Sequence, residues 1–349
     1  MSGWVERLFY PERPEGALRE LALSPLAWAE VVFATGVRAR SIARARGWIR
    51  PERVSGLRVI SVGNVVVGGA GKTPVVRALA ERLIGAGRKV AVLSRGYGRA
   101  ATDDVRVEGP PWPEVDRCGD EPLMLAQSVP AATVWVGDDR LGLARLAARC
   151  GTEVALLDDG FQHWRLARDV DVVVVDEEVG LGNGHLLPRG PMREPAWSLA
   201  RATLLWIRAA EASVAVPWPE GVPRVRARHG PKDVVDPSGQ VHAVDALRGR
   251  QVVGFAGIGR PTAFRHTLRA LGAEVVGFSG FPDHHRFSAA ELRTLERQAA
   301  DAGAWLVTTE KDRMRCPDGA GVHVLRLGVQ LLEGEELLDR LLLSEPGPP

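Results

Sequence analysis

The segment that most restricts how this chain can fold runs from residue 57 to 87. There LRVISVGN (57–64) leads into VVVGGAGK (65–72) and then TPVVRALAERLIGAG (73–87). The first stretch is a β-branched apolar run of strand character. The last sets Val75, Val76, Leu79, Leu83 and Ile84 at helical spacing and stops at Gly85 and Gly87. Between them lies the loop Gly68-Gly69-Ala70-Gly71-Lys72-Thr73. Glycines in such a loop let backbone N–H groups converge on phosphate oxygens, and the helix behind them adds the positive end of its dipole. Lys72 is placed to reach the β and γ phosphates of a nucleoside triphosphate, and the Thr73 hydroxyl to ligate Mg²⁺. Pro74 is tolerated in the first helical turn. The usual spacing would place a glycine at position 66, where Val66 stands.

Downstream, apolar runs alternate with amphipathic stretches. Strands are expected at 89–96, 133–138, 153–159, 171–176 and 203–208, with a helix over RLGLARLAARC (140–150). That alternation implies a mostly parallel sheet covered on both faces. Around 209–223 three prolines interrupt the pattern, so a domain boundary is expected there. Beyond it, VRARH and KDVVD read as short strands, 251–257, 273–280, 305–312 and 323–327 as further strands, and 292–303 as a helix. The expected architecture is α/β: an N-terminal amphipathic helical segment (1–50), a P-loop NTPase-like domain (51–220) and a smaller α/β domain (221–349). The tail from Glu345 to Pro349 reads as frayed.

A phosphate loop needs a carboxylate at the end of a neighbouring strand to hold the metal. Asp158 and Asp159 precede Gly160 at a strand's carboxyl end, where α/β sheets bind ligands, and are the stronger candidate. Asp176, after the next apolar run, reads as a solvated strand-end acid. A guanine-reading N/T-K-x-D is absent, because Lys311 and Asp312 are adjacent, so adenine nucleotide is the default donor. A third-glycine-deficient AGIG (256–259) carries little weight as a dinucleotide fingerprint.

Of 45 basic side chains only Lys72, Lys89, Lys232 and Lys311 are lysines, and two of them fall in motif-like segments. A formal net charge of +2 argues against nucleic-acid binding by bulk charge. Cys118, Cys150 and Cys316 show no metal spacing and suit a reducing compartment, and no structural metal is expected. Residues 21–37 are apolar but interrupted by Pro25 and Glu30, too short for a confident transmembrane helix, and no cleaved signal peptide is expected. Arg38, Arg40, Arg44, Arg46, Arg50 and Arg53 follow. An apolar helix ahead of an arginine-rich one reads as an interfacial anchor, and a packed helical hairpin is the bland alternative.

The ordered set GNVVVGGAGKTP, SRGYGR, GDEP, DDGFQH, GNGHLLPRGPMREP, FAGIGRP, FPDHH and TTEKD resembles the tetraacyldisaccharide 4′-kinases, the lipid A 4′-kinases of Gram-negative bacteria. The resemblance covers nearly the whole chain. It implies transfer of the ATP γ-phosphate, with Mg²⁺, to the 4′-hydroxyl of a tetraacyl glucosamine disaccharide 1-phosphate, giving lipid IVA. It implies a peripheral enzyme on the cytoplasmic face of the inner membrane, with the lipid A precursor as partner and no nucleic acid or obligate protein partner. By the same resemblance Lys72 and Thr73 hold phosphate and Mg²⁺, Asp158 and Asp159 serve the metal, Asp120 is the base and His284 its partner. Arg140, His163, Arg193 and Glu194 are further members of the substrate site. Asp120 and His284 fall in different expected domains, so their pairing is expected only when the cleft closes over substrate. The rival readings are a soluble P-loop kinase or ATPase with a small-molecule acceptor, and a nucleotide-binding switch.

Overall fold

A computed structural model describes residues 8–10, 24–69, 71–211 and 213–344. Ala70 of the glycine loop, the first residues of the apolar stretch and the tail after Ser344 lie outside the described residues.

Among the described residues thirteen strands form one continuous sheet. They are β1 (Arg58–Gly63), β2 (Val90–Ser94), β3 (Val105–Val107), β4 (Thr133–Val136), β5 (Val154–Asp158), β6 (Val170–Asp176), β7 (Leu204–Arg208), β8 (Arg224–Val235), β9 (Val241–Ala243), β10 (Gln251–Ala256), β11 (Glu274–Gly280), β12 (Trp305–Thr309) and β13 (His323–Glu333). The order is β11-β10-β12-β13-β8-β7-β6-β1-β5-β2-β4-β3, with β9 added beside β8. Among these described strands the β3–β4, β8–β9 and β8–β13 pairs are antiparallel and the rest parallel. This is the mostly parallel α/β sheet expected. Every residue of β1, β2 and β5 is buried, as strands covered on both faces must be.

The described helices are α1 (Ser24–Ala45), α2 (Lys72–Gly85), α3 (Val115–Cys118), α4 (Asp120–Ser128), α5 (Arg140–Arg149), α6 (Pro261–Ala270), α7 (Ala289–Asp301), α8 (Glu310–Arg313) and α9 (Glu335–Leu343). α7 starts three residues before the expected 292 because Ser288 and Glu291 form a reciprocal capping box.

Three expectations change. The two short strands expected beside the junction are one twelve-residue strand, β8, which pairs with β7 at its start and with β13 along its length. Gly230 and Pro231 bend this strand at a register shift and do not end it. The apolar and arginine-rich segments near the start are one helix, α1, and not a hairpin. Asp176 is buried and bonded to Arg208 at 2.5 Å, so it is not a solvated acid.

The sheet passes through the proline-rich stretch without interruption, and the end of the chain folds back onto the first half. Leu338 and Leu342 of α9 join the core under β1, β6 and β7. Arg58 at the start of β1 donates to the carbonyls of Leu341 and Leu342 at 2.6 and 2.8 Å. Arg77 of α2 pairs with Glu310 at 2.7 Å, tying the helix behind the glycine loop to the other half.

Candidate active site

The carboxyl ends of β1, β2 and β5 meet at the amino end of α2. Gly71 caps α2 with a left-handed φ of 75°, and a Cβ there would lie 2.8 Å from His229 Nδ1. Glycine is therefore required by conformation and by space. Lys72 opens the helix, and its Nζ reaches Asn64 Oδ1 at 3.4 Å and Asp159 Oδ1 at 3.5 Å. Thr73 follows in the first turn of α2.

Two adjacent acids at the end of β5 have opposite electrostatics. Asp158 is buried and accepts from Ser94 Oγ at 3.1 Å. Burial, then the charges of Glu121 and Asp159, push its carboxyl up to about 6. Asp159 turns outward with φ 51° and meets Lys72 and Arg193, the latter at 2.8 Å. Burial alone would raise it, but the two cations hold it below its ordinary value. Arg140, buried beneath, donates from Nη2 to the Asp158 carbonyl at 3.3 Å, and desolvation lowers its pKa.

A second cluster faces the first across the cleft edge. Asp120 opens α4, nearly fully buried. Its Oδ2 lies 3.1 Å from His284 Nδ1, 3.6 Å from Arg315 Nε and 3.9 Å from Lys311 Nζ. Lys311 also stands 3.4 Å from His284 Nε2 and 3.3 Å from Glu121. These partners assign the His284 tautomer, with Nδ1–H donating to Asp120 and Nε2 accepting from the ammonium. The two residues thus pair in this conformation, from opposite halves of the sheet. His285 turns away to Glu291 at 3.1 Å. Glu121 links the clusters, since its charge acts on Asp158.

The remaining expected site residues divide. Arg193 is joined to Asp159, whereas Glu194, its neighbour, is buried and pairs with Arg201 at 2.7 Å. Burial raises the Glu194 carboxyl. His163 lies near Arg140 with a buried Nε2 that has no hydrogen-bond partner. Desolvation, then Arg140 and Arg168, lower it to about 4, so it is neutral at pH 7.

The donor set suits a magnesium ion that shares its ligands with phosphate. Thr73 offers a hydroxyl, Asp159 a buried Oδ1 without a hydrogen-bond partner, and Asp158 a second carboxylate. Magnesium takes few protein oxygens and completes its shell with phosphate and water. Among the described residues no group of three or more His, Cys, Asp or Glu side chains forms a self-sufficient metal site.

The family model described as Tetraacyldisaccharide-1-P 4′-kinase (LpxK) matches residues 19–345. The chain belongs to this family. The tetraacyldisaccharide 4′-kinase of Anaeromyxobacter dehalogenans (strain 2CP-C) is 44% identical over 368 aligned positions, covering 98% of this chain and 95% of that one. That of Rhodospirillum centenum is 42% identical, covering 94% and 93%. The crystal structure of the "apo" form of LpxK from Aquifex aeolicus in complex with ATP superposes with a TM-score of 0.78 at 30% identity, covering 92% of this chain and 98% of that one.

Several residues of this candidate site were not singled out from the sequence. Arg315 bridges Asp120 and Asp312, and Asp312 in turn accepts from the Gly257 N–H at 3.0 Å. The TTEKD and FAGIGRP motifs therefore act as a brace behind the Asp120–His284 pair. Arg201 and Trp206, which donates to His229 at 3.1 Å, had no local signal at all. Lys311 had one, as a lysine kept in an arginine-rich chain.

Proposed function

We propose that this chain performs its family's reaction, moving the γ-phosphate of ATP to the 4′-hydroxyl of a tetraacyl glucosamine disaccharide 1-phosphate, with Asp120 as the base. The observation that carries this reading is the family match over residues 19–345, which takes in both the phosphate loop and a buried carboxylate, Asp120, paired with the exposed His284. Lys72 would hold the transferring phosphate and offset its charge. Thr73, Asp158 and Asp159 would hold the magnesium ion, which when bound neutralises phosphate charge. The attacking 4′-oxygen forms the new P–O bond as the bond to ADP breaks, and its proton passes to Asp120. His284 orients Asp120 by donating from Nδ1, and Lys311 and Arg315, 3.9 and 3.6 Å from its Oδ2, help fix the carboxylate in place. Arg140, His163, Arg193 and Glu194 shape the floor between phosphate and acceptor.

The acceptor's acyl chains need an apolar surface, and α1 offers one. Among the described residues no helix is long and apolar enough to cross a membrane. Yet Trp28 (77% exposed), Val31, Val32 (74%), Ile42 and Trp48 present apolar side chains outward, beside the cations Arg38 and Arg46. Its inner face is pinned by Phe33 and Ala34 in the core and by Glu30, which accepts from the Leu186 N–H at 2.8 Å. We read α1 as lying on the inner membrane's cytoplasmic face, apolar side among acyl chains.

The test is purified protein with γ-labelled ATP and the lipid A disaccharide precursor, scored for a phosphorylated lipid. Label appearing only as free phosphate, or only on water-soluble acceptors, would favour the soluble-kinase reading.

A further inference from the structure

Within α8, a single helical turn, three successive side chains hold three different elements. Asp312 is fully buried and accepts from the Gly257 N–H at 3.0 Å, which anchors the turn beside the end of β10. Lys311 reaches across to the first half of the sheet, its Nζ 3.3 Å from Glu121 of α4 and 3.4 Å from His284 Nε2.

Glu310 uses both carboxylate oxygens. Oε1 accepts from Arg77 Nη1 of α2 at 2.7 Å, and Oε2 accepts from the Leu327 N–H of β13 at 2.9 Å. The ion pair is enclosed, with the Arg77 and Glu310 side chains only 10% and 13% exposed. Leu327 stands opposite Pro231, at the register shift that follows Arg326. Glu310 therefore ties the irregular point of the β8–β13 ladder to the helix that carries Lys72.

An enclosed ion pair adds little net stability, yet removing one partner strands a desolvated charge. What the pair does supply is a fixed distance and direction, because a guanidinium fork and a carboxylate meet in a narrow range of geometries. Neighbouring residues of a helical turn project about 100° apart. Fixing Glu310 thus fixes where Lys311 leaves the backbone. The Lys311 ammonium is borne on a flexible stem, and it meets Glu121, His284 and Asp120 because α8 is held against α4.

We propose that Glu310 is a positioning residue for phosphoryl transfer, an inference that rests on the 4′-kinase reading above. Through Arg77 it holds α8 at a set distance from the phosphate-loop helix. Through Lys311 it sets the Asp120–His284 pair relative to that helix. In this role Glu310 acts through protein groups alone, so its effect belongs in kcat and not in ATP binding. Misplacing reacting groups by about 1 Å can cost on the order of 10²-fold.

The experiment pairs Glu310→Gln, Arg77→Met and Arg77→Lys with a Lys311→Met background. Glu310→Gln keeps an oxygen for the Leu327 N–H and removes the charge facing Arg77. It should lower kcat roughly tenfold or more, with KM for ATP within about twofold of wild type. Arg77→Met should match it, and Arg77→Lys, which keeps the charge, should retain most of the activity. In the Lys311→Met background Glu310→Gln should cost less than about twofold further, because residues acting as a unit are non-additive. Should Glu310→Gln not fold, Arg77→Met carries the same comparison. A readout without turnover is the ¹⁵N spectrum of histidine-labelled, ligand-free protein. The His284 signal, faced by the Lys311 ammonium, should move in Glu310→Gln, whereas that of His242, paired with Asp236, should not. An unchanged kcat, equal losses in both backgrounds, or a His284 signal that stays in place would overturn the proposal. A wild type that yields no phosphorylated lipid would instead refute the kinase reading, and the histidine signals would still decide the role of Glu310.

Discussion

Replacing Asp158 with Asn should make the magnesium-free protein harder to unfold while removing its activity. The carboxyl is buried at the end of β5, and burial, Glu121 and Asp159 together raise it from 3.8 to about 6. At about 1.4 kcal/mol per pH unit, ionisation is then less favourable in the folded state by on the order of 3 kcal/mol. The folded pKa is the higher one, so the folded protein binds this proton more tightly. The penalty is absent below pH 3.8, grows toward pH 6 and is constant above it. Asn keeps an oxygen for Ser94 and removes the charge. Thermal unfolding at pH 7.5 in EDTA should place Asp158→Asn higher by on the order of 5 °C, and the gap should shrink as pH falls from 6 toward 4. Mg·ATP should raise the wild type's melting temperature and leave the variant nearly unmoved. A variant melting at or below wild type at pH 7.5 in EDTA would refute the reasoning, as would equal stabilisation of both by Mg·ATP.

Gly71→Ala sets a Cβ at left-handed φ and 2.8 Å from His229 Nδ1, so KM for ATP should rise at least about tenfold; unchanged steady-state kinetics would count against the loop geometry. Asp120→Ala should lower kcat by roughly 10²-fold or more with ATP affinity kept, and adding His284→Ala should cost little further. Fully multiplicative losses would mean that the two act separately. Trp28→Ser with Val32→Ser should weaken vesicle flotation several-fold while leaving the melting temperature within about 2 °C, because both side chains are more than 70% exposed; undiminished flotation would remove α1 from the membrane contact.

The central strands were legible because burial on both faces writes an unbroken apolar run, as in VALLD and VDVVVVD. β8 was not, because Gly230 and Pro231 look like a stop, and only pairing with β13 shows that the chain continues through them. The capping box at Ser288 and Glu291 is a local signal, and it sets the start of α7 at Ala289. In the candidate site, Lys72, Asp158 and Asp159 could be proposed from the sequence because a phosphate loop and its strand-end acids are local patterns. Asp120 and His284 came by resemblance, since a pair separated by 164 positions leaves no mark in spacing. Arg315 and Arg201 act only through partners that tertiary packing brings, Asp120 and Asp312 for one, Glu194 and Trp164 for the other.

The ribbon of β8 and β13 has a mechanical consequence. Both strands run from one half of the sheet into the other, and α9 returns with them to pack beneath β1. Two bodies joined in this way cannot swivel as though on a flexible tether, because swivelling would tear ladder hydrogen bonds. What remains is flexure, and the soft point is where Gly328 opposes Gly230 beside the register shift at Arg326 and Leu327. The molecule is built as a leaf spring, with the phosphate loop on one arm and His284 on the other. Small bending at that point would change the His284–Asp120 distance directly, and a load applied to β11 would be felt at α2 without any separation of parts.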